Sequence, residues 1–167
     1  MPVSKIGYIN GQSTEDSLIK TVRYLFPLAE KFVGYDSRGG YLTIIDLGLG
    51  AVLGTARIGA PPPKKSKKYF RFSAEKALRL LRYPKHNTSR QSRDIKRNKF
   101  GGAVRGSQFI VSFSGLPEIW DEALVISVLV IEREVSFSKA LKITTTRVRK
   151  AFKALYAAYL RDKTKKK

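Results

Sequence analysis

Between Phe100 and Ala123 the chain reads FGGAVRGSQFIVSFSGLPEIWDEA, and this stretch restricts the fold more than any other. Phe109 to Phe113 is a short apolar run of the length of a buried strand. Ser114-Gly115-Leu116-Pro117 breaks it sharply. Gly115 has no Cβ and suits a tight strand-to-helix turn. Pro117 suits the first helical position, where its missing N–H is no loss. Glu118, Asp121 and Glu122 then fall on the positive end of that helix's dipole. The helix continues through Leu124, Val125, Ile126, Val128, Leu129, Val130 and Ile131, apolar on nearly every side. Such a helix belongs in a core or a subunit interface. The spacing therefore predicts a glycine turn at 101–102, a strand, a tight turn and a buried helix.

The segments before it supply partners for that strand and helix. Ser13 reads as an N-cap with Asp16 three residues on, opening a helix over about 14–33, with Pro27 as a kink or early break. Tyr41 to Asp46 is apolar and β-branched, and Ala51 to Ile58 follows a glycine-punctuated turn, so the two read as a hairpin. Asp46 at the end of the first strand suits bonding to turn N–H groups. Gly59 to Lys68 (GAPPPKKSKK) reads as a mobile basic loop. Ser73 reads as the cap of a helix running to about Tyr83 with Ala77, Leu78, Leu80 and Leu81 on its apolar side. Lys85 to Lys99 is polar, basic and without periodicity, hence a loop. After a loop at 136–139, a last helix starts near 144–146, with Val148, Phe152, Leu155 and Tyr159 as its stripe, and the lysine tail from Lys163 reads as unstructured.

The charge of +20 over 167 residues is unevenly placed. From Pro61 to Arg105 there are fifteen Lys/Arg against two acids, and from Lys139 to Lys167 eleven against one, while the remainder is slightly acidic. Two concentrated basic segments point to a polyanion: nucleic acid, an anionic surface or an acidic partner. The polyanion-binding candidates are Lys64, Lys65, Lys67, Lys68, Arg79, Arg82, Lys165, Lys166 and Lys167. Lys76, Arg79 and Arg82 recur every three residues and are expected to share one helix flank.

There is no cysteine, which removes disulfides and thiolate chemistry. No apolar run has the roughly twenty residues that span a bilayer, and Met1-Pro2-Val3-Ser4 opens no apolar signal core. A cytoplasmic protein is the expectation. One histidine, His86, and no nucleophile–base motif turn the reading away from catalysis.

The order of motifs carries a resemblance. A first helix leads to Asp46-Leu47-Gly48, then Arg57-Ile58-Gly59-Ala60, then Ser73 with Lys76-Ala77. Gly101-Gly102-Ala103-Val104-Arg105, Ser112-Phe113-Ser114-Gly115-Leu116-Pro117 and Asp121-Glu122-Ala123 follow. Over about residues 17–131 this resembles the GlcG/HbpS-like family, often labelled haem-binding or haem-degrading. The resemblance implies an α+β, profilin-like α/β sandwich, with an antiparallel sheet of about five strands and helices packed on it. It also implies a homo-oligomer and, in several members, haem or a related tetrapyrrole. The chain departs from the family at Gly48-Leu49, where paired glycines are usual, and in its basic segments. The expected organisation is a family-like domain over 1–135 with basic insertions at 61–68 and 85–99, then a basic helix and lysine tail over 136–167.

Two functions follow as expectations. One is small-ligand binding without catalysis, haem the leading ligand, in a pocket lined by Asp46, Lys76, His86, Thr88, Arg90, Arg93, Asp94, Arg105 and Gly115. Arg90, Arg93 and Arg105 would pair with propionates, and His86 and Tyr35 are ligand candidates by chemistry alone. The alternative is an RNA- or DNA-binding or particle-scaffold protein on the same fold. A catalytic site built from Lys76, Asp94, Arg105 and Asp121 ranks third.

Overall fold

The buried strand and the buried helix of the 100–123 stretch lie at the centre of the molecule. A computed structural model describes residues 8–9, 12–34 and 37–166. In chain order these form β1 (Tyr8–Ile9), β2 (Gln12–Ser13), α1 (Glu15–Val33), β3 (Gly39–Asp46), β4 (Ala51–Gly59), α2 (Pro63–Arg82), two 3-10 turns (Ser89–Ser92, Ile95–Arg97), β5 (Ala103–Arg105), β6 (Phe109–Ser114), α3 (Glu118–Ile131), α4 (Phe137–Ile143) and α5 (Thr146–Lys165). β1 and β2 pair with each other, and the main sheet is antiparallel in the order β4-β3-β6-β5. The fold is α+β, an antiparallel sheet with helices packed on it, consistent with the profilin-like sandwich that was expected. The main sheet has four strands rather than five.

Strand alternation divides the core. Leu42, Ile44, Val111 and Phe113 face one layer, where they join Leu18, Val22 and Leu25 of α1, Leu124 and Val128 of α3, and Phe152 and Leu155 of α5 in one cluster. Ile45, Ile110 and Ala103 face the other layer, where Ala77 and Leu80 of α2 cover them. α3 is buried along almost its whole length, because the sheet, α1 and α5 surround it. Each such Leu, Ile or Val contributes about 1.5–3 kcal/mol. The α2 face is more polar: Tyr41 and Ser66 share a hydrogen bond of 2.7 Å, and the Thr43 and Ser73 hydroxyls one of 2.9 Å.

Several local expectations change. α2 begins at Pro63, with Pro62 extended before it, so 63–68 is helix rather than mobile loop. Pro63 supplies the fixed φ of a first helical residue, and the lysines are good helix formers. Ser73 is therefore mid-helix and buried, not a cap. Thr14, not Ser13, caps α1 in a capping box with Ser17, and the Ser13 hydroxyl bonds the Glu134 carboxylate. Pro27 is exposed inside an unbroken α1. Residues 137–143 are helical. The lysine tail is helical through Lys165, with Lys163 and Lys166 over the Tyr24 ring at 4.8 and 4.9 Å. No helix among the described residues is long and apolar enough to cross a membrane.

Candidate functional site

α2 crosses the sheet with Ser73, Lys76, Ala77 and Leu80 inward, at the three- and four-residue spacing of one helix face. Lys76 is 2% exposed, so the expectation of a solvent-facing flank fails at its first member. Its ammonium donates to Asp121 Oδ2 at 2.9 Å and to the Phe113 carbonyl at 2.9 Å. Asp121 stands in the first turn of α3, and its Oδ1 accepts from the N–H groups of Leu116 at 2.8 Å and Gly115 at 3.2 Å. Burial pushes the Asp121 carboxyl up to about 6, against the pull of Lys76 and the two N–H donors.

The pair forms the floor of a cleft of about 230 Å³ between α2 and the β6–α3 turn. Tyr69, Phe72, Phe100 and Leu116 give it apolar walls, and Lys68, Ser114 and Glu118 complete it. Phe72 and Phe100 pack tilted at 5.5 Å, and Lys68 Nζ lies 5.4 Å from the centre of the Phe72 ring. Burial, with Asp121 nearby, raises the Tyr69 hydroxyl. The volume lies under the roughly 300–1,000 Å³ of sites for drug-sized ligands.

Beside the cleft, the 85–100 segment is held by charge. Arg79, expected on a phosphate-binding flank, is 5% exposed. Its guanidinium donates to Glu75 at 2.7 Å and to the carbonyls of Ser89, Ser92 and Phe100 at 2.6, 3.0 and 2.5 Å. Arg93 grips Glu118 with two nitrogens, at 2.8 and 2.9 Å, and Arg90 donates to Glu122 at 2.7 Å. Burial alone would raise the Glu118 carboxyl, but Arg93, the Gly101 N–H and Arg90 together hold it low. Burial keeps the Glu122 carboxyl raised despite Arg90. Arg90 Nη2 and Glu122 Oε1 are buried without a partner among the described residues.

The residues expected to line one pocket are divided. Lys76 and the Gly115 turn meet at the cleft, and Arg90 and Arg93 reach its rim through Glu118. Asp46 does not join them: it pairs with Phe109 whereas Tyr41 pairs with Ser114, which puts it roughly 17 Å along the strand. There Asp46 accepts from the Leu49 N–H at 2.8 Å, the turn role its position suggests. Thr88 caps the first 3-10 turn and Asp94 the second. Arg105 donates to the carbonyls of Leu80 and His86 at 2.6 and 3.0 Å, and His86 stacks on Tyr83 at 4.9 Å. The three arginines expected to pair with propionates thus bind Glu118, Glu122 and backbone carbonyls in this structure. No group of three or more acidic or histidine side chains among the described residues is placed to hold a metal ion.

Lys64, Lys65, Lys67, Lys68 and Arg82 are exposed on α2, with Arg71 between them. On α5 Lys165 is exposed, and Lys166 pairs with Asp162 at 2.9 Å while remaining 62% exposed. Tyr35 and Lys167 lie outside the described residues. The aromatic walls went unread in the sequence, although Tyr69-Phe70-Arg71-Phe72 directly after KKSKK interleaves rings with basic charge. Compared with known proteins, the chain matches no family model, no curated protein and no solved structure.

Proposed function

We propose that this protein binds nucleic acid, RNA in particular, chiefly through phosphate contacts. The observation that carries the reading is the first half of α2. Lys64, Lys65, Lys67, Lys68 and Arg71 are exposed there, no acid precedes Glu75, and none of the five has an acidic partner among the described residues. Lysines at a helix N-terminus oppose the helix dipole, so this sequence sacrifices helix stability for a concentrated positive field. The inward cations Lys76, Arg79 and Arg90, and Arg93 at the surface, are matched by acids or carbonyls, which leaves the surplus charge on the rest of the surface. Arg147, Lys150 and Lys153 form a second exposed basic row on α5. α5 packs on α3, in the layer opposite α2. Two basic faces on opposite layers suit a scaffold that holds two strands of a polyanion.

The test is RNA affinity as a function of salt for the wild type and for a Lys64→Gln, Lys65→Gln, Lys67→Gln, Lys68→Gln variant. Each phosphate neutralised on a single strand adds about 0.7 to the log–log slope, so the variant's slope is expected to fall by up to roughly 3. A wild-type protein that fails to hold RNA at about 50 mM salt, or a variant with an unchanged slope, would sink the reading. Equal salt-dependent binding to anionic lipid vesicles, with none to RNA, would redirect it to a membrane surface.

A second reading, a non-catalytic carrier of haem or a related tetrapyrrole, is favoured by His86. Its ring nitrogens bond to no group among the described residues, and Nδ1 is buried. A haem titration tests it. A Soret shift lost in His86→Ala would support it, and no shift at micromolar haem would end it.

A further inference from the structure

The cleft beneath α2 holds more chemistry than phosphate contacts use. Ser114 lies on the α2 side of β6, in step with Ile110. It is 3% exposed, and its hydroxyl has no hydrogen-bond partner among the described residues. The Tyr69 hydroxyl has none either. Lys76 donates two of its three N–H groups. These groups line the cleft with bonding capacity unused among the described residues, which an occupant with its own donors and acceptors would take up. The walls, Phe72, Phe100 and Tyr69, suit a flat ring. Lys68 belongs both to the basic row and to the cleft.

We propose that the cleft receives one unpaired base of a single-stranded nucleic acid whose phosphates lie along Lys64 to Arg71. This rests on the RNA reading above and adds what is recognised. Charge sorts the parts of the ligand: Asp121 is already held by Lys76 and two backbone N–H groups, and the Glu118 carboxylate at the rim disfavours a phosphate there while offering an acceptor to N–H groups of a base edge. A base stacked on Phe72 takes the place of the Lys68 ammonium over that ring and frees Lys68 for the adjoining phosphate. A duplex delivers a base only by flipping it out, at a penalty of unstacking and unpairing, so single strands are preferred.

The experiment measures binding of the full chain to a 12-nucleotide single-stranded RNA, to the same sequence as a duplex, and to nucleoside monophosphates, at one salt concentration. The single strand is expected to bind at least about tenfold tighter than the duplex. Base–aromatic stacking is worth roughly a 5- to 100-fold loss of affinity when the ring is removed, so Phe72→Leu is expected to lose that much for the single strand and little for the duplex. Ser114→Ala, which removes only the hydroxyl oxygen, is the second variant should Phe72→Leu fold poorly, and it is expected to narrow the same preference at an unchanged salt slope. Equal single-strand and duplex affinity in the wild type, or variants in the cleft without effect, overturns the base site while leaving the phosphate reading standing. No binding to either RNA overturns both. Monophosphates binding as tightly as the oligonucleotide would assign the cleft to a free nucleotide and overturn the proposal.

Discussion

Lys76 Nζ stands 2.9 Å from Asp121 Oδ2, with the two side chains 2% and 4% exposed. The pair ties the middle of α2 to the first turn of α3 across the end of β6. α2 otherwise covers the sheet with a small apolar cluster, Ala77 and Leu80 on Ile45, Ala103 and Ile110. The ion pair, the hydroxyl contacts of Ser66 and Ser73 and the hydrogen bond from Arg105 to the Leu80 carbonyl add to its attachment. Desolvation offsets much of the attraction in a buried pair, so the main effect of this one is to fix where α2 sits, and with it the cleft and the basic row.

Removing one partner leaves the other charge buried and alone. Lys76→Met is therefore expected to destabilise the fold by about 3–5 kcal/mol at neutral pH. Lys76→Met with Asp121→Asn should recover most of that loss. The Asn oxygen still accepts from the Leu116 N–H, and no unpaired charge remains. Guanidinium unfolding of the four proteins in the cycle measures the coupling. A double variant that loses the sum of the two single losses would show that the pair is not coupled.

The raised carboxyl of Asp121 gives a pH dependence of definite sign. Its ordinary value is 3.8, and burial moves it to about 6 in the folded protein. Between these values the folded state holds a proton that the unfolded state has released. The contribution to stability is complete below about 4 and is lost as pH rises through about 6. Glu122, also raised, acts in the same direction, whereas Glu118, held low, loses its contribution as pH falls. Subtraction isolates Asp121: Asp121→Asn should gain on the wild type in melting temperature as pH goes from 4 to 6. A difference that stays flat would place the titration elsewhere.

Two glycines separate a steric demand from a conformational one. A Cβ on Gly115 would lie 2.6 Å from the Gly39 carbonyl oxygen and 2.7 Å from the Gly40 Cα, both backbone atoms that cannot turn aside. Gly34 caps α1 at φ +80° with nothing among the described residues within 4 Å of its missing Cβ. Gly115→Ala is expected to cost more than about 2 kcal/mol, as overpacking against fixed atoms does. Gly34→Ala should cost only the roughly 1–2 kcal/mol of a left-handed backbone. Thermal melts of the two variants rank them, and a reversed order would contradict the packing.

The strand–turn–helix at 109–131 was legible because local rules and burial agree there. Apolar run, Gly115, Pro117 and the acidic first turn all state one structure. Even so, the reason for Gly115 is the close approach of Gly39 and Gly40, a contact across the sheet that local sequence does not contain. The start of α2 was hidden, since a proline run followed by lysines has the composition of a loop, although Pro63 suits a first helical position and the helix it opens continues into Ala77 and Leu80, which cover Ile45 and Ile110. The inward placement of Lys76 and Arg79 was hidden for a related reason. Their partners, Asp121 and the carbonyls of 89–100, are remote in sequence, and a cation repeating every three residues looks the same whether it faces water or a buried acid.

Arg79 gives the last prediction. Its guanidinium reaches the carbonyls of Ser89, Ser92 and Phe100 at once, and Glu75 holds it from the side. One planar fork thus closes both ends of a segment that has only two short 3-10 turns of its own and carries Arg90 and Arg93 to the α3 acids. A lysine has the charge but a single nitrogen, so it reaches one of the carbonyls and leaves the others unpaired. Arg79→Lys is therefore expected to loosen residues 88–100 while the sheet stays intact. Hydrogen exchange should quicken by at least about tenfold at Arg97 and Ala103, whose N–H groups bond within the segment and to Ser89 Oγ, and stay unchanged at Ile44 and Val111. Uniform acceleration across the chain would mean that Arg79 supports the whole core rather than this segment, and no acceleration would mean that the turns hold without it.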